Sequence, residues 1–224
     1  MQKKRRLIIS RGFMQARETH KFAENIQAVK RMPQYLRLFN KVLGSGRDYI
    51  SSVQIAKETG FRAILIKKDL LMVGAPGKTK LGYNVKGTIQ TIENYLGWHN
   101  KKDACIVGYG KLGAALFNYE GFKKHGFNIV AAFDADYNNK KQPPLNNLYP
   151  MDKLAEFIKK NNISTAIITV PPASAQTVAD MLVKAGIGAI WNFSPADIKV
   201  PQDVVIQNED LSVGLALLCS RLRN

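Results

Sequence analysis

The sequence has few of the residues that build metal sites and disulfide frameworks. Among its 224 residues are two cysteines and three histidines, and the histidines fall in unrelated segments. Cys105 and Cys219 show no CxxC or other metal-ligand spacing. We therefore expect no metal site and no disulfide framework, with both cysteines reduced and packed in the interior.

Long apolar runs are also absent. No stretch approaches the roughly 20 apolar residues of a membrane-spanning helix. The apolar run in the basic N-terminus "MQKKRRLIISRGF" is too short for a signal peptide. We therefore expect a cytoplasmic protein with no membrane partner. The hydrophobic fraction of 46% is still enough for a substantial core.

Acidic residues are scarce, and their scarcity is uneven. The chain has 33 Lys and Arg against 17 Asp and Glu, a net charge of +16. Residues 1–100 hold 19 of the basic and 6 of the acidic side chains, whereas residues 101–224 hold 14 and 11. A basic half joined to a nearly balanced half favours a polyanion-binding module attached to a second domain. Double-stranded DNA is the expected partner; a merely soluble basic surface is the alternative.

The N-terminal half has the pattern of a winged helix. We expect a flexible basic arm over 1–22 and a DNA-binding domain over 23–98. A first amphipathic helix runs from Asn25 to Leu43, and Pro33 either kinks it or marks the first turn of a helix that begins near Arg31. The segment "SSVQIAKETGF" predicts a capped helix that ends at Gly60, and "RAILIKKDLLMVG" predicts the next one. The glycine- and lysine-containing "GAPGKTKLGYNV" predicts a small β-hairpin with a basic tip, the wing.

The C-terminal half alternates strands and helices. Strands are predicted at 104–107, 127–133, 164–170, 188–193 and 203–207, and helices at 111–120, 151–161, 173–185 and 209–222. Such alternation predicts an α/β domain with a parallel, Rossmann-type sheet, here over 99–208.

The stretch "DACIVGYGKLGAALFNY" places three glycines between a strand and a helix. Gly108 permits the tight turn, Gly110 lets the backbone approach a pyrophosphate, and Gly113 lets the helix pack close to the strand. Asp134 follows at the end of the next strand, where an acid accepts hydrogen bonds from the adenine ribose and repels a 2′-phosphate. The pattern predicts NAD(H) rather than NADP(H) as the cofactor. An empty Rossmann-like packing motif is the alternative.

The same half offers little for dehydrogenase chemistry, which needs a proton donor or acceptor near the nicotinamide. Its one histidine, His125, lies in "KKHGF", on the turn that leads into the second strand. The loops "TVPPAS" and "WNFSPAD", expected to line the nicotinamide half, carry Pro, Phe and small residues. The sequence therefore favours a nucleotide sensor that is not an enzyme.

Several segments together resemble the Rex family of redox-sensing transcriptional repressors. They include "RMPQYLRLF", "ISSVQIAKETGF", "KKDLLMVGAPGK", "VGYGKLGAALFNYEGF", "TVPPASAQTVADMLVKAGI", "WNFSPADIKVP" and "NEDLSV". The resemblance implies a homodimer with a winged helix, a Rossmann domain and a C-terminal dimerisation helix, here 209–224, that is swapped between subunits. It also implies a repressor that responds to the NADH/NAD⁺ ratio and releases its operator when NADH binds.

The candidate site residues form three sets. The cofactor-binding set is Gly108, Tyr109, Gly110, Lys111, Leu112, Gly113, Asp134, Asp136, Val170, Pro171, Asn192 and Phe193. The DNA-binding set is Ser51, Ser52, Lys67, Lys68, Lys78 and Lys80. The resemblance implies a switch set in which Asp210 of one subunit pairs with Arg37 or Tyr119 of the other, depending on the nucleotide that is bound.

The sequence also departs from the family pattern at the DNA-binding residues. Leu65 stands where the family has Gln, Lys67 where it has Arg, and 71–73 where it has Ser-Tyr-Phe. Thr79 and Lys80 replace an Arg-Gly of the wing. A lysine presents a point charge rather than a bidentate donor, and Leu65 can pack on a thymine methyl but cannot hydrogen-bond a base. Two alternatives stay open: a Rossmann nucleotide- or CoA-binding protein or enzyme, and a Rex paralogue with altered or lost operator recognition.

Overall fold

The computed structural model describes residues 26–137 and 146–222. The chain divides into two compact units, Met1–His99 and Asn100–Asn224. The sequence placed this division after residue 98. The predicted arm over 1–22 lies outside the described residues.

The first unit is helical with a small antiparallel sheet. Its elements are helix α1 (26–44), strand β1 (Tyr49–Ile50), helix α2 (Ser52–Thr59), helix α3 (Ala63–Met72), strand β2 (Tyr83–Asn84) and helix α4 (Val85–Leu96). Strands β1 and β2 pair antiparallel, with Tyr49 opposite Asn84 and Ile50 opposite Tyr83. The core draws on all four helices, through side chains that include Met32, Tyr35, Phe39, Ile55, Ile66, Leu70 and Ile92.

The two consecutive helices predicted before and after Gly60 are present, and the first has the expected ends. The hydroxyl of Ser51 accepts a hydrogen bond from the Gln54 N–H at 3.2 Å, and the Gln54 side chain accepts one from the Ser51 N–H at 3.1 Å. This is the reciprocal capping box that the sequence predicted. Gly60 ends α2 with φ of 74°, a conformation that favours glycine. Pro33 lies inside α1, because residues 26–44 form one uninterrupted helix, so the alternative in which a helix begins near Arg31 is wrong.

The wing differs from the predicted β-hairpin. Only one isolated antiparallel bridge, Lys78 to Gly82, forms within the glycine-rich segment, and strand β2 pairs with β1 instead of with a neighbouring hairpin arm. Pro76 has no N–H to donate to a ladder, and two glycines flank it closely, so the segment lacks the residues that sustain a longer hairpin. The wing is therefore a tight turn held by Lys78 and Gly82.

The second unit is a six-stranded parallel sheet with the order β5-β4-β3-β6-β7-β8. Its strands are β3 (Lys102–Val107), β4 (Phe127–Asp134), β5 (Leu148–Pro150), β6 (Thr165–Ile168), β7 (Ala189–Asn192) and β8 (Val205–Asn208). The sequence predicted five of them. It missed β5, which is three residues long and ends in a proline, so that it shows no periodicity. The strand order reverses between β3 and β6, the position at which doubly wound sheets bind ligands.

Helices cover the two faces of this sheet unequally. Helices α6 (Leu154–Lys160) and α7 (Pro172–Ala185) pack on one face, and the seven-residue α5 (Lys111–Phe117) packs on the other. Helices α5 and α6 are shorter than predicted. Helix α5 ends at Phe117, and the residues predicted as the start of α6 form a 3₁₀ turn (Met151–Lys153).

Helix α8 (Leu211–Arg221) is exposed along its whole length. Cys219 on this helix is consequently exposed, which corrects the expectation that both cysteines are interior; Cys105 in β3 is buried. Across residues 26–137 and 146–222, none of the helices has the length and apolar character needed to cross a membrane.

Candidate nucleotide and DNA sites

A cavity of about 510 Å³ opens at the carboxyl ends of β3, β4, β6 and β7. Seven predicted cofactor-binding residues line it: Gly108, Gly110, Leu112, Asp134, Val170, Pro171 and Phe193. The cavity lies where the strand order reverses. Residues of both loops that the sequence assigned to the nicotinamide half line it. A cavity of this size suits a nucleotide-sized ligand.

The three glycines of the loop differ in what an added side chain would meet. Gly108 has φ of 98°, and a Cβ there would lie 2.9 Å from the backbone of Thr169. A Cβ on Gly113 would overlap the carbonyl oxygen of Gly108, so the first helical turn can pack on the loop only with glycine. A Cβ on Gly110 would meet nothing within 4 Å. Gly110 is therefore dispensable for folding, and the open space beside it is where a ligand can approach the backbone.

Helix α5 begins directly after Gly110, and no side chain caps its first N–H groups. Uncapped N–H groups and the positive end of a helix dipole favour phosphate. Lys111, the first residue of the helix, is exposed beside them. The backbone thus supplies the donors that the sequence pattern predicted.

Asp134 is 9% exposed and organises the loop. One of its carboxylate oxygens accepts a hydrogen bond from the Tyr109 N–H at 2.6 Å, and the other accepts one from the Asp136 N–H at 2.8 Å. A carboxylate oxygen can accept more than one bond, so these contacts leave capacity for ribose hydroxyls. Asp134 therefore positions the glycine loop as well as facing the cavity.

Tyr109 and Asn192, two of the predicted cofactor-binding residues that do not line the cavity, are buried. The Tyr109 ring packs edge-on against Phe117 at 5.8 Å. Asn192 is fully buried, where its amide donates to the Ala196 carbonyl at 3.0 Å and the Asn208 side chain at 2.9 Å. It also accepts from the Ser194 N–H at 3.0 Å, so its side chain builds the turn that carries Phe193.

Sequence reasoning overlooked Thr169. Its hydroxyl donates to the Gly108 carbonyl at 2.6 Å and ties the end of β6 to the glycine loop. Thr169 lines the cavity together with Met151, Ser174 and Pro195, which were also not singled out. The signal for Thr169 was its place near the end of the predicted strand 164–170, in the quoted "TVPPAS".

The cavity offers little acid–base chemistry. Among the described residues that line it, Asp134 is the only one with a titratable side chain. Burial raises the pKa of the Cys105 thiol to about 12, so this cysteine stays protonated in the core. No group of three or more metal-ligating side chains occurs within the part of the chain that the structure describes.

A second cavity, of about 530 Å³, lies between α3, the wing and the start of α2. Five of the six predicted DNA-binding residues line it: Ser51, Ser52, Lys67, Lys78 and Lys80. Lys68 is exposed on α3 beside Lys67. The structure therefore brings together on one surface the residues that the sequence scattered over 30 positions.

The backbone conformation of the wing turn at Lys80 is one that suits glycine, the residue that the resemblance to Rex leads us to expect there. Lys80 has φ of 64°, a left-handed conformation that is uncommon for a residue with a side chain. Lys80 occupies the second position of the Arg-Gly that the family carries. Lys80 therefore adopts a strained backbone conformation and adds a positive charge to the wing.

Helix α3 is fixed to α1 by a buried charged group. The Arg31 guanidinium donates to both oxygens of the Asp69 carboxylate, at 2.6 and 2.7 Å, and the Tyr35 hydroxyl donates to Asp69 at 2.7 Å. Hydrogen bonding to Asp69 raises the pKa of Arg31, and burial together with the bond to Asp69 raises the pKa of Tyr35. Arg31 also lies 5.9 Å above the Phe61 ring. Sequence reasoning missed this group, which sets the orientation of the helix that carries Lys67 and Lys68.

The three predicted switch residues are all exposed. Arg37 lies on α1 in the first unit, and Tyr119 and Asp210 belong to the second. The Tyr119 ring, 59% exposed, packs edge-on against Phe122 at 4.9 Å. Asp210 caps α8 by accepting from the Ser212 N–H at 2.8 Å, and this bond lowers the pKa of its carboxyl. Their pairing stays a prediction.

Comparison with known proteins decides the family. A redox-sensing transcriptional repressor Rex from Treponema denticola is 45% identical over 193 residues, which cover 85% of this chain and 91% of that protein. The chain belongs to the Rex family. The Rex protein of Clostridium botulinum (strain Hall) is 40% identical over 198 residues, covering 87% of this chain and 93% of that protein.

Structural similarity and family models agree with Rex membership. A crystal structure of RSP, a Rex-family repressor, in complex with β-NAD⁺ and operator DNA has a TM-score of 0.80 and 35% identity, covering 88% of this chain and 91% of that one. The RSP complex with β-NADH has a TM-score of 0.77 and 34% identity, with coverage of 88% and 93%. Residues 26–70 match the model for a putative DNA-binding protein N-terminus, and residues 99–196 match the CoA binding domain model. The Rex fold of a DNA-binding domain followed by a Rossmann-type sheet is the one described here.

Proposed function

We propose that this protein is a transcriptional repressor that senses the NADH/NAD⁺ ratio and releases its DNA operator when NADH binds. The observation that carries the proposal is the pair of prepared surfaces. One is a glycine-loop cavity with Asp134 at the strand reversal, and the other is a lysine-rich cavity between α3 and the wing. Rex relatives are redox-sensing repressors, and RSP binds β-NAD⁺, β-NADH and operator DNA.

In this proposal the first unit binds DNA and the second binds NAD(H). Gly108, Gly110 and the start of α5 hold the pyrophosphate, and Asp134 accepts from the ribose hydroxyls. Val170, Pro171 and Phe193 enclose the nicotinamide. An oxidised nicotinamide ring is cationic and a reduced one is neutral, so an apolar enclosure distinguishes the two by the cost of burying charge.

The protein acts as a sensor rather than as an enzyme. Hydride transfer to a substrate needs a positioned proton donor or acceptor. Asp134, the one titratable side chain among the described lining residues, already accepts two backbone hydrogen bonds. The test is a steady-state assay with NADH and small carbonyl substrates. We expect no consumption of NADH, whereas turnover would favour the enzyme alternative.

The protein acts as a homodimer in the cytoplasm, through a C-terminal helix swapped between subunits. Leu211, Val213, Leu215, Leu217 and Leu218 on α8 are each more than half exposed. A helix with apolar residues on every side requires a covering surface. Such a swap brings Asp210 to the partner subunit, where it exchanges between Arg37 and Tyr119 as the nucleotide changes.

The test is a selection of DNA from a random duplex library by the full-length protein, performed with and without NADH. The proposal predicts a sequence consensus without nucleotide or with NAD⁺, and its loss when NADH is present. Selection of no consensus would favour the paralogue with lost operator recognition. Because residues 99–196 match a CoA binding domain model, a competition arm measures whether CoA displaces NADH. Tighter binding of CoA than of NADH would overturn the cofactor assignment.

A further inference from the structure

Helix α3 presents two large apolar side chains at the centre of its exposed face. Ile66, Asp69, Leu70 and Val73 form the buried stripe. The opposite stripe consists of Ile64, Lys67, Lys68 and Leu71, at the i, i+3, i+4 and i+7 positions of a helix. Ile64 is 67% exposed and Leu71 is 65% exposed, and Leu71 lines the cavity between α3 and the wing.

The exposed charged side chains between residues 61 and 82, and those that line the cavity between α3 and the wing, are all basic. Between residues 61 and 82 the single acidic residue is Asp69, which is buried and bonded to Arg31 and Tyr35. Lys67, Lys68, Lys78 and Lys80 are exposed around it. A cationic surface with no exposed carboxylate is complementary to a phosphate backbone. Duplex DNA is therefore the occupant that fits this face.

Around the helix axis Ile64 and Leu71 lie between Lys67 and Lys68, so the two apolar side chains occupy the middle of the exposed face. In the major groove the one apolar feature of a base edge is the C5-methyl group of thymine. We propose that Ile64 and Leu71 read thymine methyl groups, and that they give this chain its operator preference in place of hydrogen-bonding side chains. The inference rests on the proposed DNA-binding function. Leu65, which by its chemistry can also pack on a thymine methyl, is partly buried on the flank of the helix that carries Met72.

For α3 lying along the groove, the helix rise gives the expected spacing of the two contacts. Seven residues of an α-helix rise about 10.5 Å, and base pairs repeat at about 3.4 Å, so the two thymines lie about three base pairs apart. Each contact buries about one methyl group, so its loss weakens binding about fourfold.

The probe is a duplex selected by the full-length protein, in which deoxyuridine replaces single thymines. This change removes the methyl group and leaves every base-pair hydrogen bond in place. We expect two positions in each half-site, about three base pairs apart, at which the dissociation constant rises about fourfold. Leu71→Ala should abolish the effect at one position and Ile64→Ala at the other. Leu71→Met, which keeps an apolar side chain of similar size, should retain it.

Leu43→Ala is the matched control, because Leu43 is an exposed leucine of the same unit that does not line the cavity. It should leave the deoxyuridine profile unchanged. Both test side chains are exposed, so their replacement opens no core cavity. A selected duplex that tolerates deoxyuridine everywhere would overturn the inference and leave the repressor function standing. Sensitivity that persists in both alanine variants would overturn it as well. Failure to select any duplex would overturn the repressor function together with the inference.

Discussion

The two units of this protein build their candidate binding sites from different chemical groups, one mainly from backbone and the other from side chains. In the second unit the glycine-loop end of the nucleotide cavity is formed mainly by backbone, from three glycines and an uncapped helix start, beside the Asp134 carboxylate. In the first unit the candidate DNA face is made by side chains, four lysines and two aliphatic residues on a helix and a turn. Backbone geometry tolerates almost no substitution, whereas a side-chain surface can change its specificity one residue at a time. This difference accounts for a glycine loop that keeps the family pattern beside a DNA-binding helix that departs from it.

The largest expected effect comes from removing Asp69, whose hydrogen bonds hold α3, the helix of the candidate DNA face, against α1. Asp69→Ala leaves the Arg31 guanidinium, with 19% of its side chain exposed, without its bidentate partner. Removing one member of a buried ion pair costs about 3 kcal/mol. Chemical denaturation of the full chain should show this loss in the first unit alone, with NADH affinity unchanged. An equal loss of NADH affinity would show that the two units are not separable in this way.

The second prediction breaks the backbone site without unfolding it. Gly110→Val should fold normally, because a Cβ there meets no atom within 4 Å. It should weaken NADH at least about 100-fold, since it blocks charge-assisted hydrogen bonds worth about 1.5–3 kcal/mol each. Calorimetric titration measures the affinity. Gly113→Ala is the contrasting control, in which the added carbon overlaps the Gly108 carbonyl and thermal stability should fall as well. NADH binding to Gly110→Val at parental affinity would refute the assignment.

The backbone half of this comparison was the easier half to predict. The Gly108–Gly110–Gly113 spacing and Asp134 each follow from steric and hydrogen-bonding rules that act over short stretches of chain, and the structure gathers all four around one cavity loop. The Ser51 capping box and the Gly60 helix end are local in the same sense. Strand β5 was missed because three residues carry no period.

Long-range arrangements were harder. The Arg31–Tyr35–Asp69 group joins residues up to 38 positions apart, and nothing in the local sequence announces it. The sequence of α3 does not show that Ile64 and Leu71 are exposed, because the exposed face of a helix depends on which of its faces packs against the core. Leu65 is partly buried for the same reason, and its packing on a thymine methyl stays a prediction. The inward turn of Asn192 likewise depends on its partners Ala196 and Asn208.

A third, smaller effect sharpens the account of the first unit. Tyr35→Phe removes one hydroxyl that donates to Asp69, at a cost of about 1.5 kcal/mol at neutral pH. The pKa of Tyr35 is raised in the folded state, so the unfolded chain loses this proton first, near the ordinary value of 10.0. The stabilisation is therefore complete below pH 10.0 and declines as the pH rises above it. The stability difference between parent and variant should narrow between neutral and strongly alkaline pH. A constant difference would show that Tyr35 does not titrate as described.

The smallest expected effect concerns α8, the helix that is swapped between subunits in the proposed dimer. Asp210→Ala removes the cap of α8 and should cost about 1 kcal/mol of helix stability, whereas Asp210→Asn keeps a capping oxygen and loses only the charge. If Asp210 relays the signal through its charge, both variants should bind NADH and fail to release DNA. Normal release by Asp210→Asn would assign Asp210 to helix capping alone.

One measurement tests the proposed coupling of the two sites most directly. The full-length protein is bound to its selected duplex, and fluorescence anisotropy follows the DNA while NADH or NAD⁺ is added, with Gly110→Val in parallel. We predict that NADH releases the duplex, that NAD⁺ leaves it bound, and that Gly110→Val remains on the DNA at NADH concentrations that release the parent. NADH that binds the parent in a calorimeter and leaves the duplex in place would contradict the proposal that this protein is a redox-sensing repressor.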